Sequence, residues 1–323
     1  MSGNKVGSAG TLERRDGPLP EYALYAIRYA TREAGRSSHF MGGDRHDGPM
    51  PMDYYVWLAV HPDRAVLVDM GFSAEAAARR GRELLCDPID TLAELGVDPQ
   101  AVRDVVLTHL HYDHAGNFER LPQARFHVQE AEMHFAAGRH MRYRYYASGY
   151  EADDIANAVR ANLDGRVMQY RGRAEPLPGI VLEPVPGHSP GEQAVCVHTR
   201  RGWVVLASDA SHYYENLLRR RPYPAAHHVD EMLESFDRLL ELAGGVERIV
   251  PGHDPLVMQL YPPAAPGLQG RIARLDAEPA PMPAKPARTA RPAAGASSEG
   301  KVSASAGPGE ASSAAAASGG ASS

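Results

Sequence analysis

Thr108-His109-Leu110-His111-Tyr112-Asp113-His114 directly follows the apolar residues Val105-Val106-Leu107 and places three imidazoles and one carboxylate within six positions. Imidazole and carboxylate are ligands that zinc and related divalent cations prefer. Four donors are too many for one tetrahedral ion that keeps an open position, so the stretch predicts two cations sharing one site. Some of the chain's 15 histidines must lie close by chance. A cluster this dense without a metal, however, would crowd polar groups that each need a partner.

The same arrangement, an apolar strand followed by a histidine or an aspartate, recurs along the chain. Each segment alone is weak evidence, because a strand-terminal aspartate is usually a turn former and Pro-Gly-His is usually only a loop. Their joint occurrence predicts that several strand ends bring these side chains to one place. The segments are Ala65-Val66-Leu67-Val68-Asp69, Ile180-Val181-Leu182 with Pro186-Gly187-His188, Trp203-Val204-Val205-Leu206-Ala207-Ser208-Asp209, and Ile249-Val250-Pro251-Gly252-His253.

From about residue 22 to residue 261, these motifs resemble the metallo-β-lactamase superfamily. Within it the chain is most similar to the N-acyl-homoserine lactonase branch, through Ser208-Asp209-Ala210-Ser211, Glu215-Asn216 and residues 186–193. The resemblance implies an α/β fold of the αββα sandwich type. Two mixed β-sheets would pack face to face, with helices on the outer faces.

The resemblance also implies the metal ligands and the cofactors. The expected cofactors are two Zn²⁺ ions, with cobalt, manganese or iron as alternatives, and Asp69 stands at the family's usual earlier acidic position. An aspartate at the bridging position argues against the antibiotic-hydrolysing branch, in which a cysteine is common there. The implied ligands are His109, His111 and His188 for the first ion, Asp113, His114 and His253 for the second, and Asp209 as the bridge.

The implied reaction is hydrolysis of a cyclic ester. A hydroxide bridging the two ions would attack the carbonyl carbon of an N-acyl-homoserine lactone or a related lactone, which silences quorum-sensing signals (quorum quenching). Two divalent ions lower the pKa of a shared water and hold both the attacked and the departing oxygen. We expect Asp113 to act as a catalytic residue as well as a ligand, passing a proton to the departing alkoxide.

One position departs from the lactonase pattern. That branch typically has a tyrosine three residues after the bridging aspartate, where it donates a hydrogen bond to the substrate carbonyl; here the residue is His212, followed by Tyr213 and Tyr214. We expect His212 or Tyr213 to supply the catalytic donor, and Tyr214 and Tyr112 to contact substrate. The alternative is that the three residues after 211 only line or cover the pocket and that Tyr112 only packs.

Composition and charge narrow the class of protein. With 43% hydrophobic and 23% charged residues the chain has enough apolar side chains for a sizeable core. The net charge of −6 and the lack of a long basic block disfavour nucleic-acid binding. No apolar stretch suits a membrane span or a secretory signal, so we expect a cytoplasmic enzyme with a small-molecule lactone substrate. Whether it forms a homodimer is left open.

Three regions are expected along the chain: a flexible N-terminal arm over residues 1–20, a hydrolase domain over 21–276, and a tail over 277–323. The tail is rich in Ala, Pro, Gly and Ser and is predicted to be disordered, because it has too little apolar surface to offset the entropy of ordering. Within the domain, capping and apolar periodicity predict helices over residues 73–85 and 227–242.

Two other functions remain open at this stage. A thioesterase of the glyoxalase II type would use the same fold, but that branch usually carries a C-terminal helical region where this chain turns to low complexity. A protein of another class, a non-catalytic metal-binding module or a di-iron redox protein, would also use clustered histidines. The open ligand set disfavours the former, and the absence of a further carboxylate in place of a histidine disfavours the latter.

Overall fold

The computed structural model describes Leu12 and residues 18–283. The predicted arm over 1–20 and the predicted tail over 277–323 therefore lie largely outside the described residues. Among the helices of the described part, none is both long and apolar enough to cross a membrane.

The strands of the described part form two mixed sheets. In chain order they are β1 (Ala23–Arg32), β2 (Met52–His61), β3 (Arg64–Val68), β4 (Glu83–Leu84), β5 (Asp104–Val106), β6 (Arg125–Gln129), β7 (Val167–Tyr170), β8 (Ala174–Leu177), β9 (Ile180–Pro184), β10 (Gln193–Thr199), β11 (Gly202–Ser208), β12 (Ile249–Pro251) and β13 (Ile272–Arg274). The eight-stranded sheet has the order β13-β1-β2-β3-β5-β6-β7, with β4 paired to β1, and the five-stranded sheet has the order β12-β11-β10-β9-β8. Strands β3, β5, β6 and β7 are parallel, as are β11 and β12, and the other pairs are antiparallel.

Helices cover the outer faces of both sheets. They are α1 (Ala74–Arg80), α2 (Glu130–Ala136), α3 (Arg144–Ala147), α4 (Ala152–Leu163), α5 (Tyr214–Arg219), α6 (Val229–Ala243) and α7 (Leu256–Leu260), and short 3₁₀ turns span Arg36–His39, Asp90–Leu95, Pro99–Ala101, Phe118–Arg120, Arg139–Arg142 and Val246–Arg248. The helix predicted over 227–242 is α6, displaced by two residues at its start. The helix predicted over 73–85 is wrong at its end, because Gly81 adopts a left-handed conformation and caps α1, and the chain then turns into β4.

Successive side chains of a strand point to opposite faces of its sheet, so each sheet packs against the other sheet on one face and against helices on the other. The result is four layers. In β10, Val195 and Val197 join the core between the sheets, whereas Ala194 and Cys196 join the core beneath α6. The outer face of the larger sheet packs against α1, α2 and α4 in a third core. Each large aliphatic side chain buried in this way contributes about 1.5–3 kcal/mol to folding. The predicted αββα sandwich is confirmed.

The candidate ligand residues follow the carboxyl ends of parallel strands, at one edge of the sandwich. Asp69 follows β3, the stretch 107–114 follows β5, and Asp209 follows β11, so their carboxyl ends meet. Asp69 and Ser208 both have positive φ (60° and 48°), which is uncommon for residues other than glycine. Such backbone strain persists only where the surrounding structure holds it, and it marks this edge as the candidate site.

Candidate metal centre

The first group of ligands consists of three imidazoles whose ring nitrogens converge. His188 Nε2 lies 3.2 Å from His109 Nε2 and 2.8 Å from His111 Nδ1. Burial, followed by the neighbouring imidazoles, lowers the pKa of His109 and of His111 well below the usual value, and burial also lowers the pKa of His188. Lowered pKa values favour the neutral rings, and a neutral imidazole has a ring-nitrogen lone pair with which to bind a cation.

The second group contains two carboxylates and two imidazoles. Asp113, His114, Asp209 and His253 each place a donor atom within 4.8 Å of the others, and all four are buried. His253 Nε2 is 3.0 Å from Asp209 Oδ1 and 3.6 Å from Asp113 Oδ2. His114 Nε2 is 3.3 Å from the same Asp209 oxygen and 3.7 Å from Asp113 Oδ2.

Asp209 connects the two groups through its two oxygens. Its Oδ1 faces His114 and His253, whereas its Oδ2 lies 3.4 Å from His188 Nε2 in the first group. The backbone behind it is fixed, because the Tyr223 hydroxyl donates to the Asp209 carbonyl oxygen. This is the placement that a carboxylate bridging two cations requires.

Outer contacts aim the inner nitrogens at the centre. His188 Nδ1 donates to the carbonyl oxygen of Ala225 (2.7 Å), and His253 Nδ1 donates to that of Asp53 (2.7 Å). Because the Nδ1–H groups donate to backbone carbonyl oxygens, each Nε2 has a lone pair that faces the other ligands. His114 Nδ1 likewise contacts Asp69 Oδ2 at 2.8 Å.

The residues present fit divalent cations. His114 Nε2 and Asp209 Oδ1 are fully buried and have no hydrogen-bond partner among the described residues. Buried polar atoms without partners are costly, and a cation would satisfy both. The structure thus brings together every ligand expected from the sequence: His109, His111, Asp113, His114, His188, Asp209 and His253.

Asp69 anchors the loop that carries most of these ligands. Besides contacting His114, its carboxylate accepts hydrogen bonds from the Thr108 backbone N–H and from the Thr108 hydroxyl, each at 2.8 Å. Asp69 is fully buried, so the three bonds compensate a carboxylate that water cannot reach. Its position fixes where the ligand loop leaves β5.

Glu132 is a site residue that the sequence reasoning missed. This fully buried carboxylate accepts from the backbone N–H groups of Leu110 (3.0 Å) and Gly191 (3.1 Å), the Ser189 hydroxyl (2.7 Å) and the Tyr150 hydroxyl (3.2 Å). It therefore joins the loop that bears His109 and His111 to the loop that bears His188. A glutamate in an amphipathic helix gives no sequence signal that separates it from a solvated charge.

Glu192 lies within residues 186–193, a stretch for which the resemblance implies a role only at His188. It is fully buried, and its Oε2 lies 3.2 Å from His109 Nδ1. Burial, and then Asp209, raise the pKa of Glu192 well above its usual value. Neither of its oxygens has a hydrogen-bond partner among the described residues, so it is a buried neighbour of His109 and not an acceptor.

Of the residues expected to contact substrate, His212 lies at the ligand cluster. Its Nε2 donates to Asp209 Oδ2 at 3.0 Å, and its ring stacks on Tyr223 with centroids 3.6 Å apart. Burial lowers the pKa of His212 to about 3, so the ring is neutral. Its N–H is directed at the bridging carboxylate.

The two tyrosines after His212 point elsewhere. The Tyr213 hydroxyl donates to the Pro51 carbonyl (3.1 Å) and contacts His39 Nε2 (3.1 Å). The Tyr214 hydroxyl donates to the Ile249 carbonyl (3.1 Å), and its ring belongs to the core between the sheets. The structure brings neither hydroxyl to the ligands, so the catalytic role expected for Tyr213 and the substrate contact expected for Tyr214 stay predictions. Helix α5 begins at Tyr214, and Tyr213 is the residue that precedes it.

Tyr112 is held in a stack beside the second group. Its ring lies parallel to Phe72 (centroids 5.6 Å apart) and under the Arg80 guanidinium (3.7 Å). Its hydroxyl accepts from Arg82 Nε at 3.0 Å and lies 3.4 Å from the Tyr54 hydroxyl. Contact with substrate remains a prediction for this residue, which is mostly buried.

A cavity of about 290 Å³ opens beside the first group of ligands. His111 and His188 form one wall of it, and most of the rest is aromatic or aliphatic. Burial, then the neighbouring His228 and His140, lower the pKa of His227 at its rim to about 4. Its other lining residues include Phe135, Tyr145, Tyr146, Tyr150 and Ala226.

Comparison with known proteins agrees with this geometry. The family model described as the metallo-beta-lactamase superfamily matches residues 50–253. A protein of Mycobacterium tuberculosis named a probable metallo-hydrolase is 32% identical over 227 residues, which cover 62% of this chain and 71% of that protein. An N-acyl homoserine lactonase of Bacillus cereus is 30% identical over 168 residues, covering 51% of this chain and 61% of that protein.

A solved structure gives the same result. The crystal structure of a quorum-quenching N-acyl homoserine lactone lactonase superposes with a TM-score of 0.60 at 25% identity. The match covers 73% of this chain and 93% of that one. Almost the whole of the solved domain therefore has a counterpart here.

Proposed function

Because this chain belongs to the metallo-beta-lactamase superfamily and is a metallo-hydrolase, we propose that it opens the ester ring of N-acyl-homoserine lactones or related lactones with two bound Zn²⁺ ions. One observation carries the proposal: the seven converging ligands form two groups that share Asp209. The similarity to lactonases of known structure supports the choice of a cyclic ester.

Each group would hold one ion. His109, His111 and His188 are proposed for the first, and Asp113, His114 and His253 for the second, with Asp209 shared between them. When bound, such ions lower the pKa of water and polarise the attacked carbonyl. The outer acceptors keep the imidazoles in the tautomer that binding needs.

Asp113 is proposed as the proton carrier. Its Oδ2 lies between His253 and His114, at 3.6 and 3.7 Å, so its carboxylate reaches the space between the two groups. It would accept the proton of the attacking water and deliver it to the ring oxygen as the acyl–oxygen bond breaks. In a lactone the released alcohol stays attached to the acyl product, so it remains near this carboxylate.

His212 is proposed as a positioning residue. Its ring is clamped on Tyr223, and its Nε2–H donates to Asp209 Oδ2. This N–H already donates to Asp209 Oδ2. It could orient the substrate carbonyl only if it donated to both oxygens at once. The cavity lined by Phe135, Tyr146 and Tyr150 offers an apolar surface for the acyl chain.

The experiment compares ester classes on one metal-analysed sample. Homoserine lactones of several acyl lengths, a glutathione thioester and an aryl ester are given to the full chain loaded with Zn²⁺. We expect lactone opening to be fastest, to fall at least about 100-fold in His111→Ala, and to be unchanged in His134→Ala, whose ring is exposed and outside the cluster. Cleavage of the thioester with the lactones untouched would replace this proposal by a thioesterase.

A further inference from the structure

A second, smaller cluster of metal-binding side chains lies at the start of α6. His227 and His228 immediately precede this helix, and Glu231 lies in its first turn. One donor atom from each of the three lies within 4.8 Å of the others. Two imidazoles and one carboxylate form a donor set that suits zinc and similar divalent cations.

The two imidazoles of this cluster have few competing partners. His227 Nδ1 is buried and has no hydrogen-bond partner among the described residues. The His228 side chain does not cap α6, and its nearest carboxylate, Asp230, is 3.8 Å away. The positive end of the helix opposes a cation, but Asp230 and Glu231 in the first turn supply compensating negative charge.

The cluster is fastened to the loop that carries His188. The His227 N–H donates to the carbonyl oxygens of Gly187 (2.7 Å) and His188 (3.2 Å), and the His228 N–H donates to that of Gly187 (2.9 Å). The two imidazole rings are neighbours, with centroids 4.3 Å apart. Such backbone support is typical of a side chain held ready for binding.

The cluster also borders the candidate substrate cavity. His227 lines that cavity together with His111 and His188, and its ring packs edge-on against Phe135, with centroids 4.8 Å apart. A cation on His227 would therefore hold the His227 ring, His228 and Glu231 together at the rim of this cavity.

We propose that His227, His228 and Glu231 form an additional divalent-cation site, separate from the seven-ligand centre, whose occupation narrows the cavity and slows turnover. The binding does not depend on which ester the protein cleaves. The slowing rests on the proposed function, because it requires that substrate enter through this cavity.

Binding is tested on the full chain by equilibrium dialysis against rising free Zn²⁺, with metal counted per chain. The variants are His228→Ala and Glu231→Gln, which change side chains outside the ligand centre, and His134→Ala is the matched control. We expect the wild type and the control to bind one equivalent more than either variant, at a free Zn²⁺ above that which fills the seven-ligand centre. Equal stoichiometry in all four proteins would overturn the site.

Inhibition is tested on the same samples with the fastest substrate of the ester panel. At the free Zn²⁺ that fills the additional site, we expect turnover to fall in the wild type and the control and to persist in His228→Ala and Glu231→Gln. Equal inhibition in all four proteins would overturn the proposal that occupation of the additional site slows turnover. If no ester is cleaved, the proposed function fails, and the dialysis result still decides the site.

Discussion

At the scale of single residues, the site depends on where each imidazole directs its second nitrogen. Backbone carbonyls of Ala225 and Asp53 and the carboxylate of Asp69 bind the outer nitrogens of three ligand histidines. The spacing within 109–114 indicated a metal site, because imidazoles and carboxylates so dense have few other uses. The full set of seven expected ligands came from the resemblance to the superfamily. Glu132 and Glu192, which lie next to the ligand loops, were not predicted. Their importance comes from being buried, and the residue type alone does not reveal burial.

A glycine beside His111 offers a residue-scale test. A Cβ on Gly149 would lie 2.6 Å from His111 Nε2, closer than packed atoms approach. We expect Gly149→Ala to displace His111 and to weaken Zn²⁺ binding by about 10- to 100-fold, as disturbed metal sites do. Gly48→Ala is the control, since its Cβ would meet nothing within 4 Å. Equal zinc affinity in the two variants, measured by competition with a chelating dye, would contradict the contact.

At the scale of elements, the sequence predicted where several strands lie but not which strands pair with each other. The apolar runs before Asp69, Asp209 and His253 are strands β3, β11 and β12. The end of α1 was mispredicted because pairing of β4 with β1, a contact distant in sequence, overrides the apparent continuation of the helix. Pairing of β1 with β13 depends on the same kind of distant contact.

Glu132 joins elements that the sequence leaves separate. In Glu132→Gln, an amide N–H₂ replaces one carboxylate oxygen and faces two donors, which costs about 1–3 kcal/mol for the unsatisfied groups. We expect lower stability and weaker Zn²⁺ binding, both measurable by thermal unfolding with and without the metal. Glu130→Gln is the control, because Glu130 pairs with the exposed Arg171 at the surface. If Glu132→Gln gained as much stability from Zn²⁺ as the control does, the coupling would be refuted.

Helix α4 carries a carboxyl group with a pH-dependent effect on stability. Burial, then Glu151 and Asp153, raise the pKa of Asp154 from 3.8 to about 7 against the opposing Arg79 and Arg80. A raised native pKa stabilises the fold below about 3.8, and this contribution is lost as pH rises through about 7. We therefore expect Asp154→Asn to raise Tm relative to the wild type more at pH 8 than at pH 5.

The control for this pH effect is Asp164→Asn, which removes an exposed carboxylate at the other end of the same helix. Its Tm difference from the wild type should stay nearly constant between the two pH values. A parallel pH dependence in both variants would show that Asp154 has no special role.

At the scale of the whole molecule, the centre joins the two sheets. Its ligands come from loops after β5 in the larger sheet and from segments after β9, β11 and β12 in the smaller one. The fold class followed from the resemblance to the superfamily. The order of strands in each sheet could not be predicted, because apolar runs do not specify their neighbours.

Removing the metal should therefore loosen the whole domain. A ligand that binds only the native state stabilises it by about 4 kcal/mol at a thousandfold excess over its Kd. We expect a chelator to lower Tm, and added Zn²⁺ to restore it, in the wild type but much less in His188→Ala. Identical Tm with and without chelator would mean that the ligands do not hold the sheets together through a cation.

The most direct test of the account is the anomalous scattering of zinc in crystals of the Zn²⁺-loaded chain. The account predicts two strong peaks about 3.5–4 Å apart, one among His109, His111 and His188, the other among Asp113, His114 and His253, both in contact with Asp209. A single peak in the cluster, or none, would contradict it.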